Sequence, residues 1–193
     1  ARVEDLALNQ GALSVTYTIT IDTVNPTQTV TITSMGDDVA PSIGNVPSGG
    51  TTNDVAPLVG GTLTSGLNVG ETVYVYRDNV KLGAATTTSL TWSYADSGLA
   101  NGSAYVYTAR VEDLALNQGP LSGTYTITID TVNPTQTVTI TSMGDDVAPS
   151  IGNVLNNGTT NDTAPLVGGT LASGLNVGET VYDYRDGVNL GAT

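Results

Sequence analysis

The sequence predicts an all-β protein of tandem sandwich domains joined by short extended linkers. Three observations carry that prediction. Runs such as TYTITI and TVTIT alternate apolar and hydroxyl-bearing residues, the period of a strand with one buried face. Twenty-three Gly and eight Pro fall largely between those runs, as turns require. Finally, Ala1–Ala85 aligns with Ala109–Thr193 without a gap.

The offset of the repeat is 108 residues (109 minus 1), a whole small domain rather than one turn of a solenoid. The copies differ at Ala12/Pro120, Val15/Gly123, Pro47/Leu155, Ser48/Asn156, Gly49/Asn157, Val55/Thr163, Thr64/Ala172, Val75/Asp183, Asn79/Gly187, Lys81/Asn189 and Ala85/Thr193. One complete repeat spans 24–131. Residues 1–23 read as the last strands of a preceding repeat, and 132–193 as the first part of a following one. Pro26 and Pro134 have a fixed φ and no N–H, which bars them from the middle of a ladder. They also hold Asn25 and Asn133 extended. Asp22–Thr27 and Asp130–Thr135 are therefore expected to be extended joints.

Within the complete repeat the first expected strand is Thr29–Thr33, with Val30 and Ile32 on one face. A long polar connection follows, carrying Asp37, Asp38 and Asp54, and leads to a strand at Ala56–Leu63. The turn GLNVGE precedes a strand at Thr72–Tyr76, and RDNV turns into a short strand at Lys81–Ala84. Ser89–Tyr94 contains Trp92, the only tryptophan, expected in the core. Ala104–Val111, the loop EDLALNQG and Gly123–Ile129 complete the set. About seven short strands at this spacing indicate an antiparallel immunoglobulin-like sandwich. One position conflicts with the pattern. Val75 becomes Asp183 in the second copy, so either that face is exposed or the second copy adjusts locally.

Composition removes several functions. The chain has no Cys and no His, which excludes disulfides, Ser–His–Asp and Cys–His catalysis, and most zinc, haem or iron–sulfur ligation. Adjacent acids on loops, without an aromatic cleft, do not make a glycosidase pair. The chain is read as a non-enzyme. Five basic residues against eighteen acidic ones, a net charge of −13, argue against nucleic acid. No run approaches the roughly 18 apolar residues of a membrane span, so no membrane insertion is expected.

The acids are the remaining chemical feature. In an antiparallel sandwich of this order, Asp37, Asp38, Asp54, Asp96 and Asp130 collect at one pole. Glu71, Glu112, Asp113 and Asn117 collect at the other, facing Asp22. Like charges gathered in this way repel unless a cation sits among them. Carboxylates with Asn side chains and loop carbonyls form an oxygen-only set suited to Ca²⁺. The plain alternative is a solvated set of loop tips.

Several motifs together carry a resemblance. They are Asp-Asp before a Gly-Asn turn, Thr-Asn-Asp before a Pro-Leu strand, Arg-Asp-Asn-Val-x-Leu-Gly, a late Trp, Asp-x-Ala-x-Asn, and a closing Asp-Thr-x-x-Pro. Across the whole repeat the sequence resembles the bacterial immunoglobulin-like repeats of giant secreted adhesins, of the biofilm-associated and RTX types. That resemblance implies rigid extenders with Ca²⁺ at the domain junctions, exported by type I secretion to the cell surface or beyond. It points first to Asp113 and Asn117, their copies Asp5 and Asn9, and the joint residues Asp22 and Asp130. Glu112 lies beside that set, and Asp37, Asp38 and Asp54, with their copies Asp145, Asp146 and Asp162, come next. The sequence departs from the family at Leu116, where Gly usually precedes Asn. The expected partners are neighbouring repeats of the same chain. A second reading is a filament or matrix subunit that polymerises by strand exchange between identical chains. A third is a carbohydrate- or ice-binding surface built on the threonine rows.

Overall fold

The computed structural model describes residues 1–192, and all of its regular elements are strands. The chain forms two compact units, Ala1–Thr131 and Val132–Thr193.

In the first unit one sheet has the order β2-β1-β4-β8-β7. Its members are β1 (Val30–Asp37), β2 (Gly44–Asn45), β4 (Leu58–Leu63), β7 (Thr86–Thr88) and β8 (Thr91–Ala95). The second sheet has the order β3-β10-β9-β5-β6. It comprises β3 (Gly50–Thr52), β5 (Thr72–Arg77), β6 (Val80–Ala84), β9 (Ala104–Glu112) and β10 (Tyr125–Ile129). Both sheets contribute to one hydrophobic core. Val30, Ile32, Val59 and Trp92 come from the first, and Val73, Val75, Tyr107, Val111, Ile127 and Ile129 from the second. Each fully buried branched or aromatic side chain of this kind stabilises by about 1.5–3 kcal/mol.

Local sequence explains the less regular features. The register of β1 against β4 slips between Ile32 and Ser34, a bulge at Thr33. Before it Val30 and Ile32 face the core; after it Met35 and Asp37 do. Gly61 in β4 is required by close approach from two neighbouring strands, because a Cβ there would lie 2.0 Å from the Thr31 carbonyl oxygen and 2.5 Å from the indole ring of Trp92. The hairpin between β5 and β6 turns on Asp78 and Asn79, both at positive φ, as a two-residue primed turn requires.

The structure decides one point that the sequence left open and corrects three expectations. Val75 is fully buried in β5, so the valine face is not the exposed one. The sheets are not purely antiparallel, since β3 pairs parallel to β10. The short strands β2, β3 and β7, made largely of Gly, Asn and Thr, lack the alternating pattern that marks a strand in sequence. Lastly, no strand forms within residues 1–23, where Tyr17, Ile19 and Ile21 are exposed. Their copies Tyr125, Ile127 and Ile129 are core residues of β10. The cause is partnership: β10 pairs with Ala104–Tyr107 and Gly50–Thr52, and no counterpart of either stretch lies among residues 1–23.

The second unit has a sheet of order β12-β11-β13 and a separate hairpin. The sheet is β11 (Val138–Asp145), β12 (Gly152–Asn153) and β13 (Leu166–Leu171), and the hairpin is β14 (Tyr182–Arg185) with β15 (Val188–Ala192). It reproduces the bulge of β1, with the register slip between Ile140 and Ser142. Asp183 in β14 is half-buried and lines a cleft with Val138, Ile140, Val167, Leu171 and Val181.

Candidate metal site

The bulge at Thr33 sets the geometry of one acidic pole, because it turns the Asp37 side chain inward at the end of β1. Asp37 accepts from the Val39 amide at 2.8 Å and from the Thr52 hydroxyl at 2.6 Å. The same hydroxyl oxygen accepts from the Asp54 amide at 3.0 Å. The Thr52 carbonyl accepts from the Asp130 amide at 2.9 Å, which fastens the start of the second joint to the knot. Thr52 therefore links Asp37, Asp54 and Asp130. Sequence reasoning missed it, although its place two residues before Asp54 in TTND is where a hydroxyl could serve both acids.

Asp54 is the decisive member. It is only 2% exposed. One oxygen accepts from the Ala56 amide at 2.7 Å; the other, Oδ2, is buried with no hydrogen-bond partner. The ion pairs among the described residues involve Arg2, Arg77, Lys81 and Arg110, and none reaches Asp37 or Asp54. Two buried carboxylates thus sit together with neutral donors alone. Asp38 stays exposed beside them. The second unit repeats the arrangement. Asp145 accepts from the Thr160 hydroxyl at 2.6 Å, which accepts from the Asp162 amide at 2.9 Å. Asp145 is buried, Asp162 half-buried and Asp146 exposed. Among the described residues no three acidic side chains converge as a carboxylate-only cation site, so any cation here would also need main-chain or water oxygens.

The opposite pole is organised differently. Asp113 accepts from the Asn117 amide at 2.9 Å and from Asn117 Nδ2 at 2.8 Å. Asn117 Nδ2 also donates to the Asp22 carbonyl at 3.1 Å, tying the loop to the first joint. The Asn117 side-chain amide holds the Asp113 carboxyl below its ordinary value, against a smaller opposing effect of burial. Asp5 and Asn9 form the same loop and shift Asp5 the same way. Asp22 itself accepts from the Val24 amide at 3.0 Å, and Pro26 beyond it is buried in the first unit. Leu116 stands at φ 67° and Leu8 at 66°, the left-handed region that favours glycine. That is the physical reason a glycine suits this position.

Glu112 and Asp96 leave the candidate set. Glu112 Oε2 accepts from Lys81 at 2.7 Å, while Oε1 accepts from the Tyr76 hydroxyl and faces Arg110 at 3.5 Å. Burial disfavours its charge, but Lys81, Tyr76 and Arg110 outweigh that and hold the carboxyl below its ordinary value. Asp96 accepts from Arg77 and from the Tyr107 hydroxyl, each at 2.7 Å. Burial first, then Asp96, raises the Tyr107 phenol far above its ordinary value. Both acids are satisfied inside the fold.

The outer face of the first sheet carries a shallow groove of about 380 Å³, lined by Thr33, Ser34, Thr62, Thr86, Thr88 and Thr91 among others. It offers hydroxyls, while Trp92 beneath it is buried and presents no exposed ring for a sugar to stack on.

Comparison with protein-family models and with curated proteins found no match.

Proposed function

We propose that this chain is a structural extender, a series of immunoglobulin-like sandwich repeats from a bacterial cell-surface or secreted adhesin. On this reading Ca²⁺ at the Asp37–Thr52–Asp54 pole stiffens the joint that begins at Asp130. The neighbouring order of β1, β4 and β8 in one sheet, and of β10, β9 and β5 in the other, supports the immunoglobulin-like topology. The motif resemblance supports the adhesin setting and export by type I secretion.

One observation carries the calcium reading: the buried, partnerless Asp54 Oδ2 in a knot that also grips the joint. An ionised carboxylate in that position is stabilised by a positive partner. Asp37 and Asp54 would hold the ion, with Asp38 next to Asp37 in sequence and the Asp130 main chain bonded to Thr52. Asp145 and Asp162 repeat the pair in the second unit. The bound cation would supply charge neutralisation and a cross-link between joint and connection. At the other pole the Asn117–Asp22 bond already fastens the joint through protein atoms alone.

Calorimetric calcium titration tests this. Extracellular oxygen sites typically bind at about 10⁻⁴–10⁻³ M. The chain is expected to bind in that range, and the Asp54→Asn, Asp162→Asn double variant to lose the binding. Absence of binding at millimolar calcium, or equal binding by the double variant, contradicts the reading.

A further inference from the structure

The chain enters the complete repeat at one pole and leaves it at the other. The first joint is tied to Asn117 through the Asp22 carbonyl. At the opposite pole Asp37, ending β1, meets Thr52, ending β3, which in turn holds Asp130 just beyond β10. So β1, β3 and β10 all run toward the exit pole. Tension applied through the two joints acts along these strands and pulls the entry segment against the exit segment.

Those two segments meet along one continuous seam. The Tyr125 hydroxyl donates to the Val46 carbonyl at 2.6 Å. The Thr126 amide donates to Ser48 Oγ at 3.1 Å, and the Thr126 carbonyl accepts from the Gly49 amide at 2.8 Å. Ile127, Thr128 and Ile129 then pair in parallel with Gly50, Thr51 and Thr52, and the Asp130 amide closes the seam on the Thr52 carbonyl at 2.9 Å. Val46, Tyr125, Ile127 and Ile129 are buried core residues, which shields the seam from water.

Its place in the chain gives the seam a mechanical consequence. Residues 53–124 lie between its two sides and include β4, β5, β8 and β9, most of both sheets. While the seam is closed, force entering at one joint passes directly from Val46–Thr52 into Tyr125–Asp130. Residues 53–124 are then a closed loop that carries no tension. The ladder bonds run across the strands, so a pull along the strands loads them together rather than one after another.

We propose that this seam is a tension-bearing latch that shields the rest of the repeat from load carried along the chain. Its use rests on the extender reading, but the latch itself consists of protein atoms and requires no cation. Under a steady pull, the lifetime of the repeat is set by the rate at which the seam opens.

Single-molecule pulling on the full chain in chelator tests this. The protein has no cysteine of its own, so engineered pairs define where force enters. Thr23→Cys with Asn133→Cys, exposed positions in the two joints, puts the seam in the load path. Ser65→Cys with Ser97→Cys, exposed positions beyond β4 and β8 at opposite poles, pulls within residues 53–124 and leaves the seam out of the path. Tyr125→Phe and Ser48→Ala, made singly, each remove one side-chain bond of the seam. At a fixed force each should raise the unfolding rate several-fold through the joint handles. Through the internal handles the rate should stay nearly unchanged, which also shows that the variant still folds. An unchanged rate through the joint handles overturns the proposal. So does an equal rise through both pairs, the mark of bonds that only stabilise the fold. Because chelator is present throughout, a failed calcium titration leaves the latch standing, and a failed pulling experiment leaves calcium binding standing.

Discussion

Asp54 keeps one carboxylate oxygen buried without a donor, and Asp37 beside it is met only by neutral groups. In chelator this arrangement costs stability, so Asp54→Asn, which removes the charge and keeps the shape, should stabilise the first unit by about 1–2 kcal/mol. In millimolar calcium the order should reverse. Thermal melts of both proteins in both conditions check the crossing, and parallel curves contradict it. Leu116 gives a simpler prediction. Its side chain is exposed and its φ is left-handed, so Leu116→Gly should relieve strain and raise stability by about 0.5–1 kcal/mol in urea titrations. Glu112 ties stability to acid. Its carboxyl is held below the ordinary value of 4.5 when folded, so the stabilisation is complete above that value and fades as pH falls through the folded one. Lys81→Met weakens that hold, and acid unfolding should begin at higher pH. Because Lys81 is itself partly exposed, the loss near neutrality should be about 1 kcal/mol.

At the scale of elements, β5 and its copy form a natural experiment. Val75 is fully buried between the sheets, whereas Asp183 lines an open cleft where its carboxylate can keep water. Val75→Asp should therefore cost about 3–5 kcal/mol, by urea denaturation, while Asp183→Val should change the second unit little. A cost under about 1 kcal/mol for Val75→Asp would contradict the packing. The same contrast shows what was legible in the sequence. Alternation located β1, β5, β9 and β10 within a few residues, and turn residues on either side marked β4, β6 and β8, of which β6 has no fully buried side chain. The bulge at Thr33 interrupts the alternation, because Thr33 and Ser34 are consecutive polar residues between Ile32 and Met35, and the expected strand stops there. The inward turn of Asp37 was therefore hidden, and with it the role of Thr52. Alternation could not tell Thr16–Ile21 from Thr124–Ile129, identical strings whose conformations differ because only one has neighbouring strands. The grouping of Asp37, Asp54 and Asp130 at one pole followed from strand order alone. The satisfaction of Glu112 by Lys81 and Tyr76 did not, because those partners come from other strands of the sheet.

For the whole molecule, the proposed role depends on stiffness. Each repeat is about 35–45 Å long, from strands at about 3.3 Å per residue plus loops. Units joined by flexible linkers collapse toward a coil, whereas clamped units add their lengths. A cation held by Asp37 and Asp54, next to the Asp130 amide that already anchors the joint, would make that difference. Small-angle scattering of the chain at low concentration, in millimolar calcium and in chelator, measures it directly. The maximum dimension should be longer with calcium and shorter with chelator, with no difference for the Asp54→Asn, Asp162→Asn variant. Superimposable profiles for the unaltered chain in the two conditions would contradict the clamp and leave the acids as a solvated surface.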